Sequence, residues 1–329
     1  MFLPCILQGY LYIQQRKVSA MTIKATIIFS TYNGAKTLPR MMDALCDMTL
    51  DQKFWKIVAM NNNSTDNTQQ ILESYIDKLP LEIHKETRQG KAFAIDAGFK
   101  YIEGDILILT DDDMRPAPNW IEAYLQEFEE HPEFDILGGT IKPDWEKEPP
   151  SWIKKYLDLG KLGVLYALND DRPEGEVKPF LISGGNSAFR TNILKDKTYI
   201  SNKKLGPSKD IAQFAMGDDI LFCTTLVENG ARAYRTHKPV IHHFIPKKYF
   251  DEKWMLSRAE RYGLGIVIVR QASFKNRPMI FGRPIKTLIK FMIMSLLYFP
   301  ILLLPKSKKR FNFLWEYNKT RGILKNIVV

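Results

Sequence analysis

The stretch Gly104-Asp105-Ile106-Leu107-Ile108-Leu109-Thr110-Asp111-Asp112-Asp113 decides how the rest of the chain is read. Its apolar run is β-rich and too short for a helix, as expected of a strand buried on both faces of a sheet. The run stops at three consecutive carboxylates. Open α/β sheets hold ligands just beyond the carboxyl ends of their strands. Three adjacent acids repel one another there, and one would keep its proton unless a divalent cation neutralised the group. Hard oxygen ligands suit Mg²⁺ or Mn²⁺, and either ion could hold a diphosphate. A solvated acidic turn reads the same in isolation, so the flanking chain decides.

Upstream, Ala25 to Ser30 reads as a first buried strand ending in Thr31-Tyr32-Asn33-Gly34. Leu38, Met41, Met42, Leu45 and Met48 follow at helical spacing, with Pro39 in the first turn. Phe54 to Met60 is a second strand, and it ends in Asn61-Asn62-Asn63-Ser64-Thr65-Asp66. Ser64 or Asp66 would cap a helix carrying Ile71, Leu72, Tyr75, Ile76 and Leu79. Leu81 to His84 is a short third strand. Arg88-Gln89-Gly90-Lys91 then opens a helix with Ala94, Ile95, Gly98, Phe99 and Ile102 on one face. This alternation predicts an α/β fold with a parallel, doubly wound sheet.

Downstream, Pro116, Pro118 and Trp120 open a helix to about Glu130, and Phe134 to Ile141 is another strand. Residues 142–180 show no clear periodicity and read as a variable excursion over the site. Gly184-Gly185-Asn186 returns to the core. Gly217-Asp218-Asp219 opens a helix with Ile220, Cys223, Thr224 and Val227, stopped by Gly230, and Ala233 to Thr236 and then Pro239 to Ile241 lead into His242-His243.

At 329 residues the chain can bury one large domain, alone or with an appendage. Cys5, Cys46 and Cys223 match no metal spacing and no even disulfide set, which points to a reducing compartment. Residues 1–20 lack a basic n-region, so they do not resemble a signal peptide; Met21 is the better start, and the extension reads as dispensable. The net charge is +10, yet ten Lys/Arg from Arg283 onward face the single acid Glu316. Inside that basic tail, Phe291 to Leu304 is uncharged and broken by Pro300. As a helix it would reach about 21 Å, short of the roughly 30 Å hydrocarbon core. Basic residues at both of its ends suit a segment that re-enters or lies along an anionic leaflet. Nucleic acid is excluded, because the basic residues accompany an apolar run and no reading motif.

Taken together in order and spacing, the motifs resemble glycosyltransferase family 2, inverting enzymes with the GT-A fold. They are Thr31-Tyr32-Asn33; Asn61-Asn62-Asn63-Ser64-Thr65-Asp66; Gly90 with Ala94 and Gly98; Asp111-x-Asp113; Gly184-Gly185-Asn186; Gly217-Asp218-Asp219; and His242. The resemblance covers roughly residues 24–265. It implies a Rossmann-like, doubly wound mixed sheet, with a GT-A domain over 21–270 divided into a nucleotide-binding half (21–141) and an acceptor half (142–270). Residues 271–329 follow as a membrane-associated helical tail.

The resemblance implies sugar transfer with inversion from a nucleotide diphosphate, UDP favoured, to a hydroxyl of a saccharide or lipid-linked acceptor in surface polysaccharide synthesis. The enzyme would act at the cytoplasmic face of the membrane, peripheral or re-entrant. Thr31, Asn33, Asn61 and Asn62 would face the nucleobase, and Arg88, Gly90 and Lys91 the ribose and diphosphate. Asp111 and Asp112 would adjoin the donor, Asp113 and His242 would hold Mg²⁺ or Mn²⁺, and His243 is the fallback ligand. Asp219 would be the base, beside Asp218. Asn61, Asp96 and Asp218 depart from the family pattern, which usually has Asp, Asn and Glu there. A sugar-phosphate nucleotidyltransferase would need a glycine-rich basic loop after the first strand, which Thr31-Tyr32-Asn33-Gly34 does not supply. A catalytically dead membrane scaffold would not need acids at 111, 113 and 219.

Overall fold

The computed structural model describes residues 23–194, 205–206, 214–270, 274 and 277–325. The expected extension over residues 1–20, its start codon and Cys5 lie outside the described residues. Strands β1 (Ala25–Thr31), β2 (Trp55–Asn61), β3 (Leu81–Lys85) and β4 (Ile106–Thr110) form the parallel part of a nine-stranded sheet, in the order β3-β2-β1-β4. The sheet continues through β8 (Asn186–Arg190), β6 (Ile136–Trp145), β9 (Ala233–Ile245) and β5 (Met114–Pro116), with β7 (Gly175–Glu176) paired to β9. β8 runs antiparallel between β4 and β6, so the sheet is mixed. The expected doubly wound mixed sheet is present.

Period-two alternation drives this layering. Ala25, Ile27 and Phe29 of β1 enter one core, and Ile28 enters the other. The first core packs under helices α1 (Leu38–Cys46), α2 (Thr68–Glu73) and α4 (Trp120–Glu130); the second packs under α3 (Lys91–Gly98) and α7 (Asp218–Glu228). Register pairs Thr31 with Asn61 at the carboxyl ends of β1 and β2. The acidic triplet follows β4 on the same crest.

Several expectations shift. Helix α2 stops at Glu73 and a string of turns follows, so Ile76, expected in the core, is 49% exposed. The excursion over 142–180 holds the end of β6 and two short helices, α5 (Ser151–Tyr156) and α6 (Leu159–Tyr166). Six to eight residues are too few to display a helical period, which is why the sequence concealed them.

The long helix α8 (Glu252–Val269) follows β9. A small hairpin of β10 (Met279–Ile280) and β11 (Arg283–Pro284) leads into α9 (Ile285–Leu303), and α10 (Lys308–Lys325) closes the described chain. Within the stretch expected to be membrane-associated, α10 packs on the body of the sheet. Its Phe311 and Trp315 join the same core as β1, and Trp152 and Tyr156 of α5 meet Phe311. Helices α8 and α10 cross backbone to backbone: a Cβ added at Gly263 would lie 2.1 Å from the Lys319 carbonyl, and one at Gly322 2.0 Å from that of Glu260. Side chains at those positions would wedge the crossing apart. Helix α9 keeps its apolar surface bare, with Leu296 80%, Phe299 76% and Leu303 87% exposed.

Candidate active site

The loops after β1 and β2 hold each other through short polar side chains. Asn33 accepts from the Thr65 amide at 2.8 Å, and its own amide donates to Ser64 Oγ at 3.0 Å. Asp66 takes the Thr68 amide at 3.0 Å on one oxygen and the Ala35 amide at 3.2 Å on the other. Asn61 accepts the Ser64 amide at 3.1 Å and donates to Gln69 at 2.8 Å. Asn62 is buried; its Nδ2 donates to the carbonyls of Glu86 and Arg88, both at 2.8 Å, and its Oδ1 takes the Gly90 amide at 2.7 Å. The Arg88 guanidinium makes a two-pronged pair with Glu86, at 3.0 and 2.8 Å.

The triplet sits below this lattice. Thr31 donates to Asp112 at 2.5 Å, and the Lys91 ammonium pairs with Asp111. Burial opposes the Lys91 charge, but Asp111 and then Asp218 hold its pKa above the ordinary range. Burial, and next the adjacent Asp113 charge, push Asp112 up to about 7. Burial works against ionisation of Asp113 too, yet His243 outweighs it and holds this carboxyl below its usual value. Asp113 Oδ1 is buried and faces no donor among the described residues. An orphaned carboxylate oxygen in a cluster of acids fits a hard divalent cation.

Of the two adjacent histidines, His243 is the one set against the triplet. Its Nε2 lies 3.3 Å from Asp113, while Nδ1 donates to the Tyr166 carbonyl at 2.5 Å. That carbonyl can only accept, which fixes the proton on Nδ1 and aims Nε2 at the acid. Burial lowers the His243 pKa, and Asp113 more than offsets it. His242 pairs with Arg115 across the β5–β9 ladder, and burial, then Arg115, lowers its pKa. Adjacent strand residues face opposite sides of the sheet, so only one of the pair can meet Asp113.

On the far side, Asp218 and Asp219 open α7. Asp219 accepts the amides of Gly184 and Ile220, both at 2.9 Å. The approach is so close that a Cβ at Gly184 would lie 2.6 Å from the Asp219 Cβ. Burial and then Asp219 push Asp218 up to about 6. Lys91 feels Asp111, Asp218 and Asp219 together, which ties the two acid groups into one electrostatic unit. Asn186, from the glycine motif, is fully buried and structural: it accepts from Trp120 and Tyr124, both at 2.8 Å, and donates to the Thr140 and Pro239 carbonyls.

Beside Asp219 opens a cavity of about 380 Å³, walled by α6, the 180–183 turn, the start of α7 and one face of α8. Arg258 of α8 donates through Nε to the Val164 carbonyl at 2.9 Å and lies near both Asp113 and Asp219. Burial, then Arg261, draws its pKa down to about 10, so it remains charged at neutral pH. Sequence reasoning missed Arg258; the only signal is its place, with Tyr262 and Ile266, on one face of a helix.

Comparison with known proteins bears on the family and the fold. The glucosyl-dolichyl phosphate glucuronosyltransferase of Haloferax volcanii is 25% identical over 133 residues, 40% of this chain and 42% of that one. Such alignments span only about two fifths of the length of the curated relatives. S. aureus TarS, solved with UDP-GlcNAc, superposes with a TM-score of 0.52 at 18% identity, covering 90% of this chain and 71% of that one. The mannosyltransferase PcManGT of Pyrobaculum calidifontis, solved with GDP-Man and Mn²⁺, gives 0.56 at 16% identity, covering 96% and 93%. These likenesses establish a mixed α/β sheet of the GT-A kind. The model for glycosyl transferase family 2 matches residues 26–196, from β1 through the glycine motif beside Asp219, and the chain belongs to that family.

Proposed function

We propose that the chain transfers a sugar, with inversion, from a nucleoside diphosphate sugar to an acceptor hydroxyl at a membrane surface. The observation that carries this reading is the convergence of Asp111, Asp112 and Asp113 with Asp218 and Asp219 around Lys91. The Asp219 carboxylate takes the hydroxyl proton, and the freed oxygen attacks the anomeric carbon as the bond to the diphosphate breaks. A single displacement of this kind inverts the centre and needs no second catalytic carboxylate. The Gly184 and Ile220 amides aim the Asp219 oxygens. Thr31 and Lys91 steady Asp112 and Asp111 on the donor side. Asp113, with His243 behind it, would hold Mg²⁺ or Mn²⁺, which when bound neutralises charge growing on the departing diphosphate.

Membrane attachment rests on α9. It has 19 residues and is long and apolar enough to cross a bilayer by length and composition. Both its ends are tied to the catalytic body: Arg283 donates to the Leu324 carbonyl at 2.8 Å, and Arg310 pairs with Glu252 at 2.7 Å. A crossing would carry one end to the opposite leaflet, so these ties favour a helix lying in the interface. Lys286, Lys306, Lys308 and Lys309 are exposed beside it and suit anionic headgroups.

Calorimetry with UDP and GDP, in Mn²⁺ and then in chelator, tests the donor site. One nucleotide should bind in metal, and Asp113→Asn should weaken it without unfolding the protein. Equal affinity with metal and chelator would remove the cation, and no nucleotide binding at all would remove the transferase reading.

A further inference from the structure

The cavity beside Asp219 carries a charge that hydroxyl activation does not require. Arg172, Arg258 and Arg270 line it, and Asp219 is the only carboxylate among its lining residues that the structure describes. Nearby, Arg310 and Arg321 pair with Glu252 and Glu260, yet none of the three cavity arginines has a carboxylate partner among the described residues. Each is held by something neutral. Arg258 is tethered by the Val164 carbonyl and lies over the Trp254 ring at 5.6 Å. Arg172 rests against Gly163, where an added Cβ would come within 2.7 Å of Nη2. Arg270 lies over the Phe180 ring at 5.2 Å. The remaining wall is largely aliphatic, including Val164, Leu168, Ile220 and Ile266.

Unpaired guanidinium groups around an aliphatic hollow are complementary to an anion that carries an apolar substituent. Their planar forks match the several oxygens of a phosphate better than the single face of a carboxylate. We propose that this cavity is the acceptor subsite and that it selects an acceptor bearing a phosphate ester, bound by Arg258 and Arg172 with Arg270 at the rim. The inference rests on Asp219 being the base, since that places the reacting hydroxyl at the mouth of the cavity. The phosphate is a recognition element and undergoes no reaction.

The test titrates the full chain in neutral detergent, with nucleotide and Mn²⁺ present and again without them. The probes are decyl phosphate, neutral decyl glucoside and glucose 6-phosphate. Decyl phosphate should bind in both conditions, and Arg258→Gln or Arg172→Gln should each weaken it about tenfold or more, as for loss of a hydrogen bond to a charged group. Arg270→Glu, at the exposed rim, should weaken it severalfold and keeps the test open should the other variants fail to fold. Competition by glucose 6-phosphate at equal strength would uphold the phosphate and assign its source to a soluble sugar phosphate; its failure to compete would assign it to a lipid. Equal binding of decyl phosphate and decyl glucoside, or affinity unchanged in all three variants, would overturn the proposal. Absence of nucleotide binding in the unmutated protein would instead strike the transferase reading, so the two failures stay distinct.

Discussion

In the half proposed to face the nucleotide, the loops after β1, β2 and β3 are laced together by their own side chains, with Asn33, Asn61, Asn62 and Asp66 each serving two or more partners. In the half around Asp219, the wall is borrowed from four separate segments, and α8, which supplies its longest face, is itself braced from behind by α10. The first arrangement is local and stiff. The second depends on helices packed at a distance. A change in the first should therefore act on nucleotide loops alone, whereas a change in the second should reach the chemistry without touching nucleotide affinity.

The sharpest way to break this contrast is Asp219→Asn. Turnover should fall by roughly 10²–10⁴-fold, the usual contribution of a general base, with nucleotide affinity unchanged by calorimetry. A matching loss of affinity would mean that the halves are not separable. Next comes Gly322→Leu, which drives a side chain into the Glu260 carbonyl and should cost about 3 kcal/mol in urea unfolding. If α10 braces the acceptor wall, the folded fraction should still bind nucleotide while turning over slowly; normal turnover would deny the brace.

Asp218→Asn probes the seam between the halves. Its folded pKa of about 6 lies above the ordinary carboxylate value, so the native state binds its proton more tightly than the unfolded chain does. That preference stabilises the protein at low pH and fades as pH rises from about 4 to about 6. Above that window, replacing the carboxyl should recover about 2–3 kcal/mol. Melting at pH 8 should therefore improve and melting at pH 4 should not; a gain of the same size at both would exclude the charge as its cause. The smallest effect belongs to Asn62→Ala, expected to cost about 1–2 kcal/mol by stranding the Gly90 amide and two carbonyls. No change in stability would show that the nucleotide loops are not self-supporting.

The same contrast explains what could be read in advance. The nucleotide loops are built from small polar residues a few positions apart, so Thr31-Tyr32-Asn33 and Asn61 to Asp66 announce themselves as motifs. The triplet after β4 was legible only with its flanks, because a solvated acidic turn after an apolar strand reads the same in isolation. His243 could not be chosen over His242, since facing on a strand depends on register and the long β9 bends through an irregularity opposite Gly138 to Thr140. The arginine wall was invisible for a different reason. Residues 172, 258 and 270 meet only after α6 and α8 have packed, and no spacing in the sequence encodes that meeting. The packing of helix α10 was not legible, because its basic residues were counted while its buried face, Phe311, Leu314 and Trp315, was not.

The glycine crossing of α8 and α10 has a mechanical meaning. Helix α10 grips α8 on one side and α9 on the other, where Lys290 pairs with Glu316 at 2.9 Å and Tyr317 stacks on Phe291. On the proposed reading, the surface that seats α9 and the helix that carries Arg258 are parts of one rigid strut. From Arg258 to Arg270 that strut rises about 18 Å. Asp219 would then work at a constant height above the leaflet, like a tool on a fixed stand. Acceptors would be sorted by reach, those whose tethers place a hydroxyl at that height being glycosylated and longer or shorter ones passing beneath or beyond it.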